Sequence, residues 1–499
     1  MFRKAVAVIQ SEKFNRYTFV IPWLIILIGT AARTAIFIQN RNLFIDEANL
    51  ARNIYERSFA GLCRPLAHDQ FAPPLFLWMV RCCTSIAGFG EMSLRFYTLA
   101  ASVAALIVFY ILLKQLLAAR SLWYPLAMMV VSFIYLRYAT ELKQYMPDVL
   151  VALLLLLSAL RLQPDGRRFV LKWAVVGSLA IWASMPAVFV LAGVGAYYAC
   201  QALQQKSKKQ FLGITVIAFV WVIQFGLYYW LVLRSQIGLN LLQEYHREFF
   251  LFLLPKNAEQ WNHNRDLVFT LFKETSGYSN SDFLFARIAF VIGIVILLFR
   301  HRDRFFLFVV PLLLMLLAAA LHQFSLITRV ALFSMPLMLI IVGVGLDTIL
   351  SVRYLPVRIA VIVFAMLNVW HHSSLSIVTH HWDNEEITSG MDEIKKAGIK
   401  GNALILENSA EPAFIYYTQI HPARAQWADL QGAYALSWNV NLDSVAAALP
   451  AYAAFLCTAG SKDYFKQIAD RFRKHSRQTG YFEKEKCYVF FFERLPDGY

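Results

Sequence analysis

The chain has 499 residues, 59% of them hydrophobic and 16% charged, with a mean hydropathy of +0.51. That composition excludes an ordinary soluble globular protein and points to a polytopic α-helical membrane protein. The net charge of +15 is tested first against the bias of basic residues toward cytoplasmic turns, and nucleic acid is not an expected partner.

Arg3, Lys4, Lys13 and Arg16 precede an apolar run over 17–38. The run is too long for a signal-peptide core and no small-residue cleavage site follows it, so it is expected to stay as the first membrane helix. Just beyond it stands Phe44-Ile45-Asp46-Glu47-Ala48. Carboxylates close to the hydrocarbon boundary cost free energy unless hydrated, paired or used, which makes Asp46 and Glu47 the first functional candidates. The bland alternative is a helix N-terminus whose dipole the two acids complement, for about 0.3–1 kcal/mol. An amphipathic stretch (48–59) follows, then Ala72-Pro73-Pro74-Leu75-Phe76-Leu77-Trp78, where the prolines suit a helix start. That apolar run is short for a span and reads as a surface or re-entrant helix.

With about 20 apolar residues per span, about eleven transmembrane helices are expected, near 17–38, 93–113, 121–139, 148–162, 169–183, 185–203, 211–233, 284–299, 305–321, 330–350 and 358–371. Placing the N-terminus in the cytoplasm makes every inside turn basic: Lys114 and Arg120; Arg161, Arg167, Arg168 and Lys172; Lys206, Lys208 and Lys209; Arg300, Arg302 and Arg304; Arg353 and Arg358. The short outside turns hold little beyond Lys143 and Arg329, an asymmetry that fixes the orientation. The expected division is a membrane domain over 1–371, with long outer-face loops at 39–92 and 234–283, and an extracytoplasmic α/β domain over 372–499. In the second loop an aromatic patch (249–254) stands beside Trp261, His263 and Arg265.

The terminal domain alternates in β/α fashion: helix over 385–397, strand over 403–406, helix near 411–418, strand over 453–456, a basic helix over 462–477 and a strand over 488–492. It has no glycine-rich phosphate loop. Six cysteines with no CxxC spacing suggest neither zinc nor a disulfide scaffold. Cys457 and Cys487 either pair, in an extracytoplasmic domain, or remain free thiols in a small core.

Four ordered segments carry a resemblance: Phe44-Ile45-Asp46-Glu47-Ala48; Ala72-Pro73-Pro74-Leu75-Phe76-Leu77-Trp78 leading to Phe89-Gly90-Glu91-Met92-Ser93-Leu94-Arg95; Tyr138-Ala139-Thr140-Glu141-Leu142-Lys143-Gln144-Tyr145; and Ile327-Thr328-Arg329. Together they resemble the GT-C class of integral-membrane glycosyltransferases, in particular the family 39-like branch of protein mannosyltransferases and aminoarabinose transferases. The resemblance implies transfer of a sugar from a polyprenyl-phosphate donor to a lipid, glycan or protein acceptor at the outer face of the membrane. The implied location is a plasma membrane, the inner membrane in bacteria, with membrane lipids as further partners. Asp46 resembles the family's general base and Glu47 its partner. The aminoarabinose branch carries a lysine before its Pro-Pro; here that position is Ala72, which separates this chain from that branch's phosphate contacts.

Such a reaction needs a carboxylate to take the acceptor's proton and cations to hold the departing phosphate. Lys143 and Arg329 are the leading phosphate candidates, followed by Arg137 and Arg64; each is equally readable as a cation snorkelling to lipid headgroups. Glu141, Tyr145 and Asp148 stand at i, i+4 and i+7, but Pro147 argues against one regular helix through all three, and Glu141 reads as a charge partner of Arg137 or Lys143. Glu141, Tyr145 and His68 are kept as possible substrate contacts. His68 and Asp69 beside Asp46 leave a divalent cation open, although two ligands are too few to define a site. A flippase for lipid-linked sugars and a non-catalytic assembly protein are the alternatives, but the charged candidates lie in outer loops rather than mid-membrane.

Overall fold

The computed structural model describes residues 2–164, 166–234, 244–277, 280–379, 385–437 and 440–495. The membrane part begins with α1 (Phe2–Ile38), α2 (Ile45–Glu56), α3 (Pro74–Ala87) and α4 (Glu91–Leu116). It continues with α5 (Trp123–Val131), α6 (Phe133–Tyr138), α7 (Tyr145–Arg161), α8 (Gly166–Ala183), α9 (Ala187–Gln204) and α10 (Lys208–Tyr228). Then come α11 (Ala258–Ser276), α12 (Asn280–Arg300), α13 (Arg302–Phe308), α14 (Val310–Ala320), α15 (Met335–Leu350) and α16 (Leu355–His372).

Among the described residues six segments are long and apolar enough to cross a membrane: Val20–Ile38, Glu91–Leu116, Ala187–Gln204, Lys208–Leu233, Leu332–Leu350 and Leu355–Val378. The pair α13 and α14, bent by 41°, makes a seventh. On those criteria four of the expected eleven are not reached; the span expected over 284–299 is covered by α12, the side chains of whose first turn lie outside the described residues, and for the other three the reasons are local. The run over 121–139 is broken at Ser132, whose extended backbone (ψ 134°) separates α5 from α6. Helix α7 has only 17 residues, and α8 carries Arg167, Arg168 and Lys172 among its 18. The Pro-Pro run does open a short helix: Pro74 is the first residue of α3, 14 residues long.

Where charge enters the bundle it is solvated by protein. Arg33 of α1, fully buried, donates from Nε to Ser102 Oγ (2.8 Å), from Nη1 to Gly29 O (3.1 Å) and from Nη2 to Met129 O (2.9 Å). Helices α12 and α15 approach backbone to backbone. A Cβ on Gly345 would lie 1.8 Å from the Ala289 carbonyl oxygen, and one on Gly293 2.0 Å from that of Ile341, the close contact by which membrane helices gain dispersion energy.

Part of the second long loop is helical: α11 occupies Ala258–Ser276. Asn257 caps α11 by accepting from Gln260 N (2.9 Å), while Gln260 Oε1 accepts from Lys256 N (2.7 Å). That reciprocal pair resembles a capping box and was the overlooked signal for a 19-residue helix.

The C-terminal residues form a five-stranded sheet in the order β2-β1-β3-β5-β4. Its strands are β1 (Leu404–Leu406), β2 (Tyr434–Ala435), β3 (Tyr452–Thr458), β4 (Ser476–Lys484) and β5 (Cys487–Arg494). The first three run parallel and β5 lies antiparallel to both β3 and β4. The helices are α17 (Ile387–Lys396), α18 (Glu411–Ile415), α19 (Leu442–Ala447) and α20 (Lys462–Phe472). The basic helix expected to reach 477 stops at Phe472, because Ser476–Lys484 alternates sides as β4. One face of the sheet packs on α20. The other shares a continuous core with α17 and with Leu50, Ile54, Phe76 and Leu77 of the first long loop, so the C-terminal unit and the loop around Asp46 are built on common packing.

The cysteine question is settled by the pleat. Cys457 pairs in register with Tyr488, and Thr458 with Cys487, so the two thiols project to opposite faces. Cys457 lies in the core with Phe465 and Phe472, Cys487 in the one with Met391 and Ile394, and both are free. Intact mass under non-reducing denaturation is expected to show both thiols alkylatable. A mass two hydrogens short would contradict this register.

Candidate active site

Asp46 and Glu47 are the second and third residues of α2. Neighbours on a helix point about 100° apart, and the pair divides accordingly. Glu47 turns into the protein with no exposure and is gripped by Arg95 of α4, itself 3% exposed. Arg95 Nε donates to Glu47 Oε1 (2.8 Å) and Nη2 to Oε2, while Nη1 and Nη2 also donate to the carbonyls of Arg41 and Asn42 (2.5 and 3.1 Å). Glu47 Oε1 further accepts from Leu142 N (2.6 Å). This bidentate, fully satisfied pair ties together the 39–44 segment, α4 and the 139–144 turn. Glu47 is therefore a buried strut and does not face the cavity.

Asp46 faces the other way, into a cavity of about 1780 Å³. Lys143 Nζ lies 3.6 Å from its Oδ2, and Gln70 spans the two, donating to Asp46 Oδ1 (3.4 Å) and accepting from Lys143 (3.0 Å). Burial by itself would raise the Asp46 carboxyl. Lys143, Arg329 and the Gln70 hydrogen bond outweigh it and hold the group below its ordinary value of 3.8.

Arg329 lines the same cavity, where Nη2 donates to Tyr245 Oη (2.9 Å) and the guanidinium stacks 5.9 Å from that ring's centre. Tyr145, His68, Asp148, His246 and Arg247 also line it. The apolar wall comprises Phe71, Met185, Pro186, Leu233, Phe250 and Phe324, and the C-terminal unit contributes Asn408, Glu411 and Ser437 at the rim. His68, Asp69 and His322, all on this cavity, hold left-handed backbone (φ 60°, 53° and 58°) without being glycine. Such strain gathers at functional loops. Burial and the charge of Arg52 lower the His68 imidazole, and burial and Arg329 lower that of His246, which favours the neutral form of both.

Other candidates lie elsewhere. Arg64 is exposed beyond the turn Gly61–Cys63 and does not line the cavity. Arg137 Nε donates to Glu141 Oε1 (2.7 Å), and its guanidinium sits 5.5 Å from the Tyr138 ring centre. Neither Arg137 nor Glu141 lines the cavity, as the charge-pair reading of Glu141 expects; burial pushes its carboxyl up even against Arg137. Helix α7 starts at Tyr145, which leaves Glu141 in the preceding turn and puts Pro147 in the first helical turn, where proline is tolerated. Among the described residues no three His, Cys, Asp or Glu side chains gather as a metal site.

Among the cavity residues that the sequence did not single out are Arg247 and Gln70. Arg247 stands in the long 234–283 loop among Arg234, Lys256, Arg265 and Lys273, so charge scarcity, which selected Lys143 and Arg329, did not single it out. Gln70 leaves no signal.

A second network joins this junction to the C-terminal unit. Tyr417 Oη accepts from Leu43 N (2.9 Å) and donates to Glu91 Oε1 (2.9 Å), and Glu91 Oε2 meets His421 Nε2 at 3.2 Å. Tyr416 Oη donates to Phe89 O (2.6 Å).

The chain is a multi-pass membrane protein with the GT-C fold. ArnT from Cupriavidus metallidurans bound to undecaprenyl phosphate aligns over 94% of this chain and 98% of its own, at 13% identity and a TM-score of 0.54. The same protein in the apo state aligns over 94% and 97%, at 15% identity and a TM-score of 0.51. No protein-family model and no curated protein matches the chain. Identities of this size establish likeness of fold, and activity has to be argued from the site.

Proposed function

We propose that the protein transfers a sugar from a polyprenyl-phosphate donor to an acceptor hydroxyl at the outer face of the membrane. The observation that supports this most directly is one ionised carboxylate, Asp46, held beside Lys143 and within the field of Arg329 in a cavity with a long apolar wall. In this reading Asp46 takes the proton of the acceptor hydroxyl as its oxygen attacks the anomeric carbon. The carbon–oxygen bond to phosphate breaks with its electron pair leaving on the phosphate oxygen, and Lys143, Arg329 and Arg247 stabilise that charge. A single displacement of this kind inverts the anomeric centre. The apolar wall takes the prenyl chain, and the rim between His68 and Asn408, Glu411 and Ser437 takes the acceptor. The ArnT structure with undecaprenyl phosphate supports a polyprenyl-phosphate ligand. A flippase or an assembly protein gives no reason for a carboxylate between cations at this position. The test is reconstitution with polyprenyl-phosphate sugars, following release of polyprenyl phosphate and labelling of lipid, glycan and peptide acceptors. Binding of donor without turnover over any acceptor would defeat the reading.

The paired state has a consequence for pH. Asp46 is a weak base while it shares Lys143, and a donor phosphate competes for both cations and so strengthens it. Asp46 acts ionised, so activity falls as pH drops through its pKa. The acid limb of kcat/KM, which reports the free protein, is expected below the ordinary carboxylate value of 3.8, and the limb of kcat at higher pH. Coincident limbs, or the reverse order, would contradict the competition.

A further inference from the structure

A second cavity, of about 220 Å³, lies at the other end of the bundle. Helices α4 and α15 establish the direction. Their starts lie near Glu47 and Arg329, whereas Leu116 and Leu117 at the end of α4 and Val344, Asp347, Thr348 and Ser351 at the end of α15 line this second space. Its remaining walls are Arg120, the end of α12 (Ile296, Leu297, Arg300) and the turn into α13 (His301, Arg304, Phe308).

The charge in this cavity is unbalanced in a specific way. Asp347 is its one acidic lining residue, and Arg120 has taken it: Nε donates to Asp347 Oδ1 (2.9 Å) and Nη2 to the Asp347 carbonyl (3.3 Å). Arg300, His301 and Arg304 make no ion pair among the described residues. Beneath them Leu116, Ile296 and Val344 present half-buried hydrocarbon, backed by the buried Leu117, Leu297 and Phe308, while Thr348 and Ser351 keep the rest of the wall polar. General bias toward basic turns explains cations on an open surface. It does not explain two arginines, outside any ion pair among the described residues, that flank a recess between helices with both polar and apolar walls, a form that suits a ligand whose phosphate is anchored to hydrocarbon.

We infer that this recess is a binding site for the phosphodiester headgroup of an anionic phospholipid, with Arg300 and Arg304 on the phosphate and the first acyl carbons against Leu116, Ile296 and Val344. The site is separate from the sugar-transfer reading and makes no use of Asp46. A bound headgroup would bridge α12, α13 and α15, adding to the close Gly293 and Gly345 contact, so the expected effect is stabilisation of the folded chain by mass action.

The test uses the full chain in nanodiscs of phosphatidylcholine with or without phosphatidylglycerol, read by native mass spectrometry and thermal unfolding. The wild type is expected to retain phosphatidylglycerol on release from the disc and to unfold several degrees higher with it. The double variant Arg300→Gln/Arg304→Gln is expected to lose both effects. Arg167→Gln/Arg168→Gln, which removes two exposed cations outside the recess, is expected to keep them. Leu116→Trp, which fills the apolar floor and spares the charges, is expected to lower lipid retention and serves if the arginine variant fails to fold. An equal loss in both double variants would reduce the effect to surface charge and overturn the proposal. Equal stabilisation by inorganic phosphate in phosphatidylcholine discs would make this a free-anion site and also overturn it.

Discussion

Asp46→Asn is expected to lower the rate of sugar transfer by about a hundred- to ten-thousand-fold, the usual contribution of a general base, with little change in stability. Asparagine keeps the shape of the side chain and can still hydrogen-bond Gln70, so the cavity survives. The substitution removes the charge partner of Lys143, which frees that cation for phosphate. Donor affinity is therefore expected to hold or to tighten while kcat collapses. A structural role would give a different pattern: a folding defect with kcat and KM moving together. Measuring donor binding and single-turnover transfer on the same preparation separates the two, and unaltered transfer by Asp46→Asn would end the catalytic reading.

Arg95→Met should be the most damaging single change at the junction, even though it touches neither the cavity nor Asp46. It leaves the Glu47 carboxyl unexposed and without its counter-ion, a situation that costs about 3–5 kcal/mol. It also strips the Arg41 and Asn42 carbonyls of their donors. The expected outcome is a lowered unfolding temperature together with new protease cleavage in 39–44. Glu47→Leu added to Arg95→Met should recover much of the lost stability, because replacing both partners of a buried pair by apolar groups is often near neutral. If the double variant is as unstable as the sum of its parts, the pair is not acting as a unit and the strut assigned to Glu47 is wrong.

These two residues also show what could be read before the fold was seen. The cost of an acid at the membrane boundary pointed to Asp46, and the scarcity of cations in the outside turns pointed to Lys143 and Arg329; all three share one cavity. The same reasoning ranked Glu47 with Asp46, yet helical geometry turns adjacent residues to different sides, and only tertiary packing decides which side is hollow. Arg64 looked comparable to Lys143 because sequence records charge and not direction. The break at Ser132 carries no proline or glycine, so propensity offered nothing against a continuous 121–139 helix. The expected basic helix ran over the first two residues of β4, Ser476 and Arg477, and the remainder of the strand received no assignment, because its mostly polar residues give no strong apolar period of two.

Tyr417 carries a consequence in time. The backbone just ahead of Asp46 receives its partner hydroxyl from a residue 374 positions later. A ribosome releases that loop early and delivers the tyrosine only after α16 has been made. The strand of chain bearing the carboxylate thus waits through nearly the whole of translation before it is pinned, and a nascent polypeptide stopped before residue 417 would possess α1 to α16 without the means to hold Leu43 in place.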